Sequence, residues 1–332
     1  MNKYKTSSYF ILCLTSLVSL AAQGSSTHKS GNSHYQPSIF VNQAPLKLPD
    51  FESGALHLAE NTTDSKTEPV TPTAKPKTEG GHKGLAAQAT NPIANLMQFQ
   101  IQNSFIPESY ESSGYSNAFV LQPVIPIKLS KDGFFPFMVT RTTLPVLTTP
   151  NFDGPVDGTT GLGDLTFLAL PVHQQKMGSW GAMWGVGLAT VIPTATDHRT
   201  GSGKFSLGPS AVAILSPSKS IQTGVLAYHL WDVAGDSNRT YVSKTLFQPV
   251  FNYHFKELFG QTGWYAGLGD ELWSYDWNAQ QLDLPISVRI GRVFKAGKLP
   301  LNVFFEPFGR PVHNGPTGKY GFKLNVTFLF PE

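Results

Sequence analysis

The stretch 319–330 near the end of the chain alternates strictly between apolar and polar side chains. One phase is aromatic or aliphatic throughout, and the other carries Lys323, Asn325 and Thr327. A period of two residues is that of a β-strand, whose successive side chains point to opposite faces. The same period recurs from Asn95 onwards and predicts twelve strands, near residues 95–105, 117–129, 134–146, 163–173, 179–194, 204–216, 221–232, 241–255, 263–273, 281–294, 299–309 and 319–330.

The segments that connect these strands alternate in length. Residues 147–160 and 195–203 form long connections, whereas 130–133 and 216–220 read as tight turns. Long outer loops and short periplasmic turns are typical of bacterial outer-membrane barrels. The sequence therefore predicts an all-β fold, an antiparallel transmembrane β-barrel of about 12 strands over residues 93–332. A soluble all-β protein, with its apolar phase inside, is the structural alternative.

The first 24 residues have the order of a secretory signal peptide. Lys3 and Lys5 precede the apolar run 10–20, and small residues follow at Ala21 and Ala22. The alternative is a transmembrane anchor, for which the apolar run is short. Cys13, the sole cysteine, would be removed with the signal peptide. One cysteine excludes a disulfide framework, a cysteine-based zinc site and an iron–sulfur cluster.

Residues 25–92 differ in character from the strand region. They hold few aromatics, and 67–83 reads TEPVTPTAKPKTEGGHK, which is polar, rich in proline and without period. Such a stretch buries too little apolar area to offset the entropy of ordering it. We predict a disordered periplasmic linker over 25–92, after the signal peptide at 1–24.

Charge is scarce in this chain. Charged residues make up 14% of it, against about 25% in a typical soluble domain, while the hydrophobic fraction is 40%. A protein that exposes part of its surface to lipid needs fewer charges than a soluble one. The net charge of +3 does not indicate binding to nucleic acid.

The polar phase of the strands defines the predicted interior of the barrel. A charge on the lipid face at the bilayer midplane costs about 2–4 kcal/mol, so charged side chains are expected inside. Two interpretations stay open: a weakly anion-favouring wall, or a salt-bridge and amide network that fills the barrel. The predicted lumen residues are Gln98, Gln100, Gln102, Gln122, Lys128, Arg141, Lys244, Gln248, Asn252, Arg289, Glu306, Lys323 and Asn325, with Thr327.

Aromatic residues fall near the predicted strand ends, where interfacial girdles occur in membrane barrels. Ordinary core packing is the alternative. These residues are Trp180, Trp231, Trp264, Trp273 and Trp277, with Tyr110, Tyr115, Tyr228, Tyr241 and Tyr253.

Sequence motifs of enzymes are absent. The chain holds neither a G-x-S-x-G nucleophile elbow nor an H-E-x-x-H zinc motif, and GSGKF at 201–205 lacks the spacing of a phosphate loop. His229 and His254 lie near strand ends, but no catalytic partner stands at a diagnostic spacing. We therefore predict no catalytic residue, no metal and no cofactor.

Four segments resemble the outer-membrane family associated with the phenol meta-cleavage degradation pathway. They are GLGDLTFLALPV at 161–172, the segment 185–211, the segment 231–253 and the final KLNVTFLFP, with RTTLP at 141–145 as a weaker match. The resemblance covers roughly 95–332. It implies a bacterial outer-membrane channel or transporter and supplies no substrate-site residues.

The sequence and this resemblance together predict passive uptake of small molecules, including aromatic or hydrophobic compounds. The alternatives are an outer-membrane barrel enzyme of lipid-hydrolase or protease type, and a structural or adhesive surface barrel. The expected partners are outer-membrane lipid, the solute, and the barrel-assembly machinery, which would recognise the C-terminal strand despite Pro331 and Glu332 after Phe330. We expect a bacterial outer-membrane location with the N-terminal segment in the periplasm.

Overall fold

A single sheet of twelve long strands dominates the structure, a computed structural model that describes residues 81–130, 132–152, 158–177, 180–313 and 317–331. The predicted signal peptide and residues 25–80 lie outside these ranges. The strands are β1 (Met97–Ser109), β2 (Ser116–Lys128), β3 (Phe137–Thr148), β4 (Leu165–Met177), β5 (Trp180–Ile192), β6 (Lys204–Ser216), β7 (Ile221–Gly235), β8 (Ser243–His254), β9a (Trp264–Leu268) with β9b (Trp273–Asp276), β10 (Gln281–Ala296), β11 (Leu299–Val312) and β12 (Gly318–Phe330).

Pairing between the first and last strands closes the sheet. β1 and β12 run antiparallel from Met97 opposite Phe330 to Ser109 opposite Gly318, and each other strand pairs with its neighbours in sequence. β9a and β9b together fill one place, because both lie between β8 and β10. A closed barrel has no unpaired edge, so its strand backbone groups are satisfied without water. The predicted barrel of about 12 strands is confirmed.

The two ends of the barrel differ in their connections. At the end where β1 begins and β12 ends, here called the terminal end, residues 217–220 and 297–298 form short turns. At the opposite loop end, 149–164 and 193–203 are long, and 149–164 carries the short strands Asn151–Phe152 and Thr160–Leu162. The predicted alternation of long and short connections is incomplete, because residues 129–136 and 255–263 at the terminal end are longer than a tight turn.

The outward face of the barrel is apolar. Val186, Leu188, Val288 and Leu324 are each more than half exposed, whereas Lys323, beside Leu324, is 5% exposed. Large apolar side chains exposed in a continuous band around a barrel are stable in contact with lipid tails and costly in water. The phase predicted for the last strand, with apolar side chains outside and polar ones inside, is the phase in the structure.

The predicted aromatic girdle is present in part. Trp180, Trp231, Trp277 and Tyr241 are largely exposed near the strand ends. Tyr228 is a correction, because it is 5% exposed and lies inside the barrel. Tyr228 lies on β7 between Leu226 and Leu230 and points inward as they do. Its place near a predicted strand end did not reveal this direction.

The interior has two unlike walls. Buried apolar side chains from β3 to β8 form one continuous cluster, which includes Leu168, Val191, Ile214 and Leu226. The other wall, from β9 through β12 to β1, is lined mainly by amides, hydroxyls and charges such as Glu306 and Asn325. The barrel is therefore not uniformly polar inside, as alternation alone suggested.

Glycines on the inner face of β5 allow close approach of the neighbouring strand. A Cβ at Gly187 would lie 1.9 Å from the backbone oxygen of Ala169, and one at Gly185 would lie 2.4 Å from that of Pro171. No real Cβ tolerates such distances, so a side chain here would force β4 and β5 apart. These glycines accommodate a sharply bent barrel wall.

A helix, α1 (Gly81–Ala89), corrects the prediction that all of 25–92 is disordered. The helix and residues up to Leu96 lie inside the barrel, where Ala86, Ala89 and Ile93 are at most 8% exposed. The barrel supplies the apolar partners that the segment lacks by itself, and sequence composition does not report this contribution. Among the described helical residues, no helix is long and apolar enough to cross a membrane.

We predict that a charge on the outward face destabilises the barrel in lipid. Leu324→Arg places a charge at the middle of β12 and is expected to lower the free energy of unfolding from lipid vesicles by about 2–4 kcal/mol. Leu324→Ala is the size control and should cost clearly less. An arginine variant as stable as the alanine variant would show that this face meets water.

Candidate functional site: the barrel lumen

Residues 85–96, here called the plug, close the terminal end of the lumen. The Thr90 hydroxyl lies 3.2 Å from Gln222 Oε1 and 3.3 Å from His254 Nε2. The Gln222 side chain in turn donates to the backbone oxygen of Ala87 at 3.2 Å, and the Asn91 amide contacts Met183 Sδ at 3.1 Å. These bonds reach β5, β7 and β8, so the plug is fastened on several sides.

Apolar contacts complete the seat of the plug. Ile93 is fully buried within the cluster of the apolar wall. On the other side, Ala86, Ala89 and Leu96 pack with Tyr265 and with neighbouring buried side chains of β10 to β12. The plug thereby bridges the two walls and separates the lumen from the terminal end.

The described residues bound two cavities within the barrel. The inner cavity, of about 50 Å³, is bounded by the plug residues 89–92 and by Arg289. The outer cavity, of about 170 Å³, lies towards the loop end and is bounded by Lys244, Tyr228 and Arg310, among others. Gln122, Arg141, Gln248 and Asp270 line both cavities. They therefore form the boundary between them.

A hydrogen bond crosses the lumen at this boundary. Arg141 Nη1 on β3 donates to Gln248 Oε1 on β8 at 3.1 Å, although the two strands are not neighbours in the sheet. On the wall beside it, Gln100 accepts from Gln102 at 3.0 Å and from Gln122 at 3.2 Å. The lumen is thus narrow at its middle, and polar side chains set its width.

Residues 269–272 interrupt the ninth strand and lie against the interior. The backbone N–H of Asp270 donates to Glu306 Oε1 at 3.0 Å. A Cβ at Gly269 would lie 2.0 Å from both Glu306 Oε1 and Ser287 Oγ, so a larger residue here would displace these two side chains. The interruption brings the carboxylates of Asp270 and Glu271 into the lumen.

Those carboxylates belong to an ion-pair cluster. Lys323 Nζ contacts Asp270, lies 2.8 Å from Glu271 Oε1 and lies 3.9 Å from Glu306 Oε1. Arg310 pairs with Glu271 at 3.1 Å and also contacts Asp283. Each of these carboxylates therefore has a cationic partner, which offsets the cost of burying it.

Three inward cations have no such partner. Within the described residues, no carboxylate oxygen lies within 4.0 Å of Arg141, Lys244 or Arg289. Arg141 bonds to the Gln248 amide, and Arg289 bonds to Asn252 Oδ1 at 3.0 Å and lies 5.2 Å over the Phe304 ring. The positive charges of these three residues therefore face neutral polar groups, aromatic rings and the two cavities.

The structure places all the predicted lumen residues except Lys128 inside the barrel. Seven of them line the inner cavity and others line the outer one, while Asn252, Glu306 and Asn325 are fully buried beside them. Lys128 is the last residue of β2, is exposed and lines neither cavity. The alternation along the strand predicted that the Lys128 side chain points inward. It did not show that the interior of the barrel ends before this residue.

Sequence analysis missed Asp270, Glu271 and Arg310 as lumen residues. A signal for the first two was present, because Gly269 followed by two acidic residues breaks the period of two within a predicted strand. Arg310 lies on the inward phase of β11, in a region that the sequence predicted to be a loop.

The cluster Asp270, Glu271 and Glu306 has the oxygen spacing of a metal site, since one oxygen from each lies within 4.8 Å of the others. Lys323 already occupies the centre of this group and supplies the positive charge. The arrangement is therefore a lysine-centred ion-pair cluster and does not need a metal ion.

The two histidines considered for catalysis lie in different surroundings. His229 Nδ1 lies 2.7 Å from Thr245 Oγ1 on the outward side, while His254 contacts Thr90 inside. The other ring nitrogen of each histidine has no hydrogen-bond partner among the described residues. Neither histidine is therefore oriented by a carboxylate, as a nucleophile–base pair requires.

Loops contact one another at the loop end. The Arg239 guanidinium donates to the backbone oxygens of His198 at 2.7 Å and Ser202 at 3.1 Å. The Ser202 hydroxyl donates to Asp164 at 2.9 Å. Burial raises the pKa of the Asp164 carboxyl to about 8, and the Ser202 bond opposes this shift. Three connections thus meet through one buried acid and one arginine.

These features define a class. A closed antiparallel barrel of an even number of strands, apolar outside and polar or charged at the centre, has the fold of an outer-membrane β-barrel. No protein-family model matches the sequence, and a search of curated proteins finds no match.

Solved structures give the more particular likeness. An outer-membrane channel from Pseudomonas putida F1 matches with a TM-score of 0.53 and 15% identity, over 71% of this chain and 94% of that one. Outer membrane phospholipase A from Escherichia coli matches with 0.39 and 9%, over 75% and 98%. The outer membrane protein opdK from Pseudomonas aeruginosa matches with 0.33 and 10%, over 71% and 98%. At these identities the first likeness shows the fold, and the other two add no argument.

We predict that Lys323 is essential for the stability of the interior. Lys323→Met leaves Asp270, Glu271 and Glu306 with too little positive charge and should cost about 3–5 kcal/mol of unfolding free energy. Lys319→Met is the matched control, because Lys319 pairs with Glu108 at an exposed position and should cost at most about 1 kcal/mol. Equal costs for the two variants would contradict the cluster.

We predict that the contact among the loops at the loop end depends on pH. Because the folded pKa of Asp164 lies above its ordinary value, this contact is most stable below about pH 4 and weakens as the pH rises to about 8. Amide hydrogen-exchange protection around Ser202, corrected for intrinsic rates, should fall between pH 5 and pH 8. Asp164→Asn should keep protection constant over that range, and a parallel fall in this variant would refute the assignment.

Proposed function

We propose that this protein is an outer-membrane channel for the passive uptake of small amphipathic molecules. The observation that carries the proposal is the lumen with two unlike walls, where apolar side chains from β3 to β8 face amides and charges from β9 to β1. A solute with an apolar body and a polar group finds a partner for each part. A structural barrel has no need for cavities between such walls.

The width of the lumen supports selective rather than general passage. The Arg141–Gln248 bond crosses between the two cavities, and the plug closes the terminal end. Both obstacles depend on hydrogen bonds and side-chain packing, so local rearrangement opens them without unfolding the barrel. We infer that small solutes pass one at a time and that large hydrophilic ones are excluded.

We also propose the orientation and the partners. The signal-peptide pattern and the apolar outward band support the outer membrane of a Gram-negative-type cell. The terminal end then faces the periplasm, because the chain enters the barrel there as the plug. The alternating C-terminal strand β12 supports recognition by the barrel-assembly machinery.

We further propose a distant relationship to the family associated with the phenol meta-cleavage pathway. The segments at 161–172, 185–211 and 231–253 carry the resemblance, and the fold likeness to an outer-membrane channel of Pseudomonas putida F1 supports it. On this basis aromatic or hydrophobic compounds are candidate solutes. A catalytic role is not proposed, since neither His229 nor His254 is oriented by a carboxylate among the described residues.

Planar-bilayer conductance tests the channel and the plug together. The mature protein is expected to show small conductance steps, because the plug and the Arg141–Gln248 bond narrow the lumen. Deletion of residues 25–92 should increase the steps, since it removes α1 and most of the plug. Deletion of residues 25–80 is the matched control, which retains the plug and should behave as the full protein does.

The outcomes separate the alternatives. A folded, inserted barrel that passes neither ions nor small solutes with the plug deleted would refute the channel and favour a structural surface barrel. Hydrolysis of phospholipid by the full protein, lost in His229→Ala, would favour an enzyme. Heat-modifiable gel mobility shows in each case that the variant is folded, and recovery in the soluble periplasm would refute the membrane location.

A further inference from the structure

We propose that the outer cavity is a binding site for a small amphipathic monoanion, held by Arg141 and Lys244. The inference rests on the proposed channel and names its substrate class. The ligand is an organic anion, such as a carboxylate, with an apolar body of about six carbon atoms.

The charges that line this cavity are not equivalent. Its carboxylates belong to Asp270, Glu271 and Asp283, and each is already bound by Lys323 or Arg310. A carboxylate in a close ion pair attracts a second cation weakly. The remaining cations of the lining, Arg141 and Lys244, have no carboxylate within 4.0 Å in the part of the chain that the structure describes. The unmet charge in this cavity is positive.

Arg141 has donors to spare for an anion. Its Nη1 donates to Gln248, whereas its Nε is buried without a hydrogen-bond partner among the described residues. A guanidinium presents parallel N–H groups that match the two oxygens of a carboxylate. A bound anion would complete the hydrogen bonding of this side chain. The Arg141–Gln248 bond can then exchange for a bond to the ligand.

Lys244 provides a second positive charge nearer the loop end. It lies on β8 and shares the inward face of that strand with Leu246 and Gln248. Its ammonium has no hydrogen bond to a described residue, which leaves it directed into the cavity. A solute arriving from the loop end therefore meets Lys244 before Arg141.

The rest of the lining suits an apolar body. Val120, Pro145, Leu246, Leu272 and Tyr228 border the same cavity. The volume of about 170 Å³ is several times the ~30 Å³ that one water molecule occupies in the liquid. An inorganic anion would leave this apolar surface wet, whereas a short organic anion covers it.

Arg289 continues the same arrangement beyond the boundary. It lines the inner cavity together with Arg141, and among the described residues its partners are the Asn252 amide and aromatic faces. Lys244, Arg141 and Arg289 thus follow one another from the loop end towards the plug. An anion released by Arg141 finds a further cation on the inner side.

Calorimetric titration of the full-length mature protein in detergent tests the site with three probes of equal length. Hexanoate should bind, whereas hexanamide and hexylammonium should bind at least about tenfold more weakly, because a charge-assisted hydrogen bond is lost. Six carbons fill the cavity while limiting partition into the detergent.

Variants assign the binding to the two cations. Lys244→Met and Arg141→Gln should each weaken hexanoate binding by about tenfold or more, and Arg141→Lys should restore part of the loss. Arg292→Gln and Lys298→Met are matched controls. Arg292 lies over the Trp264 ring away from the lumen and Lys298 lies in an exposed turn, so both should leave the affinity unchanged.

Several results would overturn the site. They are equal binding of hexanoate and hexanamide, tighter binding of hexylammonium, no binding of any probe, or unchanged affinity in Lys244→Met. If Arg141→Gln fails to fold, the comparison of Lys244→Met with its control Lys298→Met still decides the question. A barrel that conducts but ignores hexanoate retains the channel and loses this inference. A barrel that binds hexanoate but never conducts retains the site and loses the channel.

Discussion

Closure of the sheet between β1 and β12 is the constraint on which the rest of the structure depends. In a lipid environment every strand backbone group needs a partner within the protein, and only a closed barrel supplies all of them. Closure also divides the side chains of each strand between lipid and interior. Every charge in the middle of a strand is thereby directed inside, where it meets other charges at short range.

The interior resolves this crowding by pairing charges unequally. Lys323 and Arg310 take up the carboxylates of Asp270, Glu271, Asp283 and Glu306 in one cluster on the polar wall. Among the described residues, Arg141, Lys244 and Arg289 are left with amides, aromatic faces and the cavities. The two interpretations that the sequence left open, a filled network and an anion-favouring wall, therefore coexist. The network fills one side, and the unmatched cations line the passage beside it.

Much of this arrangement could be predicted from periodicity. The period of two located every long strand and directed Glu306, Lys323 and Asn325 inward, because side-chain direction in a strand follows from sequence position. It failed where a residue departs from regular strand geometry. The interruption at Gly269 turns two acidic residues into the lumen, and Lys128 lies beyond the edge of the interior. Periodicity also did not show that the inward face of β4 to β7 is largely apolar. This face packs around Ile93 of the plug.

The sequence by itself determined the class of fold, the faces of the strands and the scarcity of charge towards lipid, since all three depend on local alternation. The tertiary structure decided what fills the barrel. Helix α1 orders only because the barrel surrounds it with partners such as Gln222 and Tyr265. Likewise, the strands that stand opposite one another after closure decide that Lys323 pairs with three carboxylates and that Arg141 has no such partner among the described residues. Contacts across a lumen join residues far apart in the chain, and no local pattern encodes those distances.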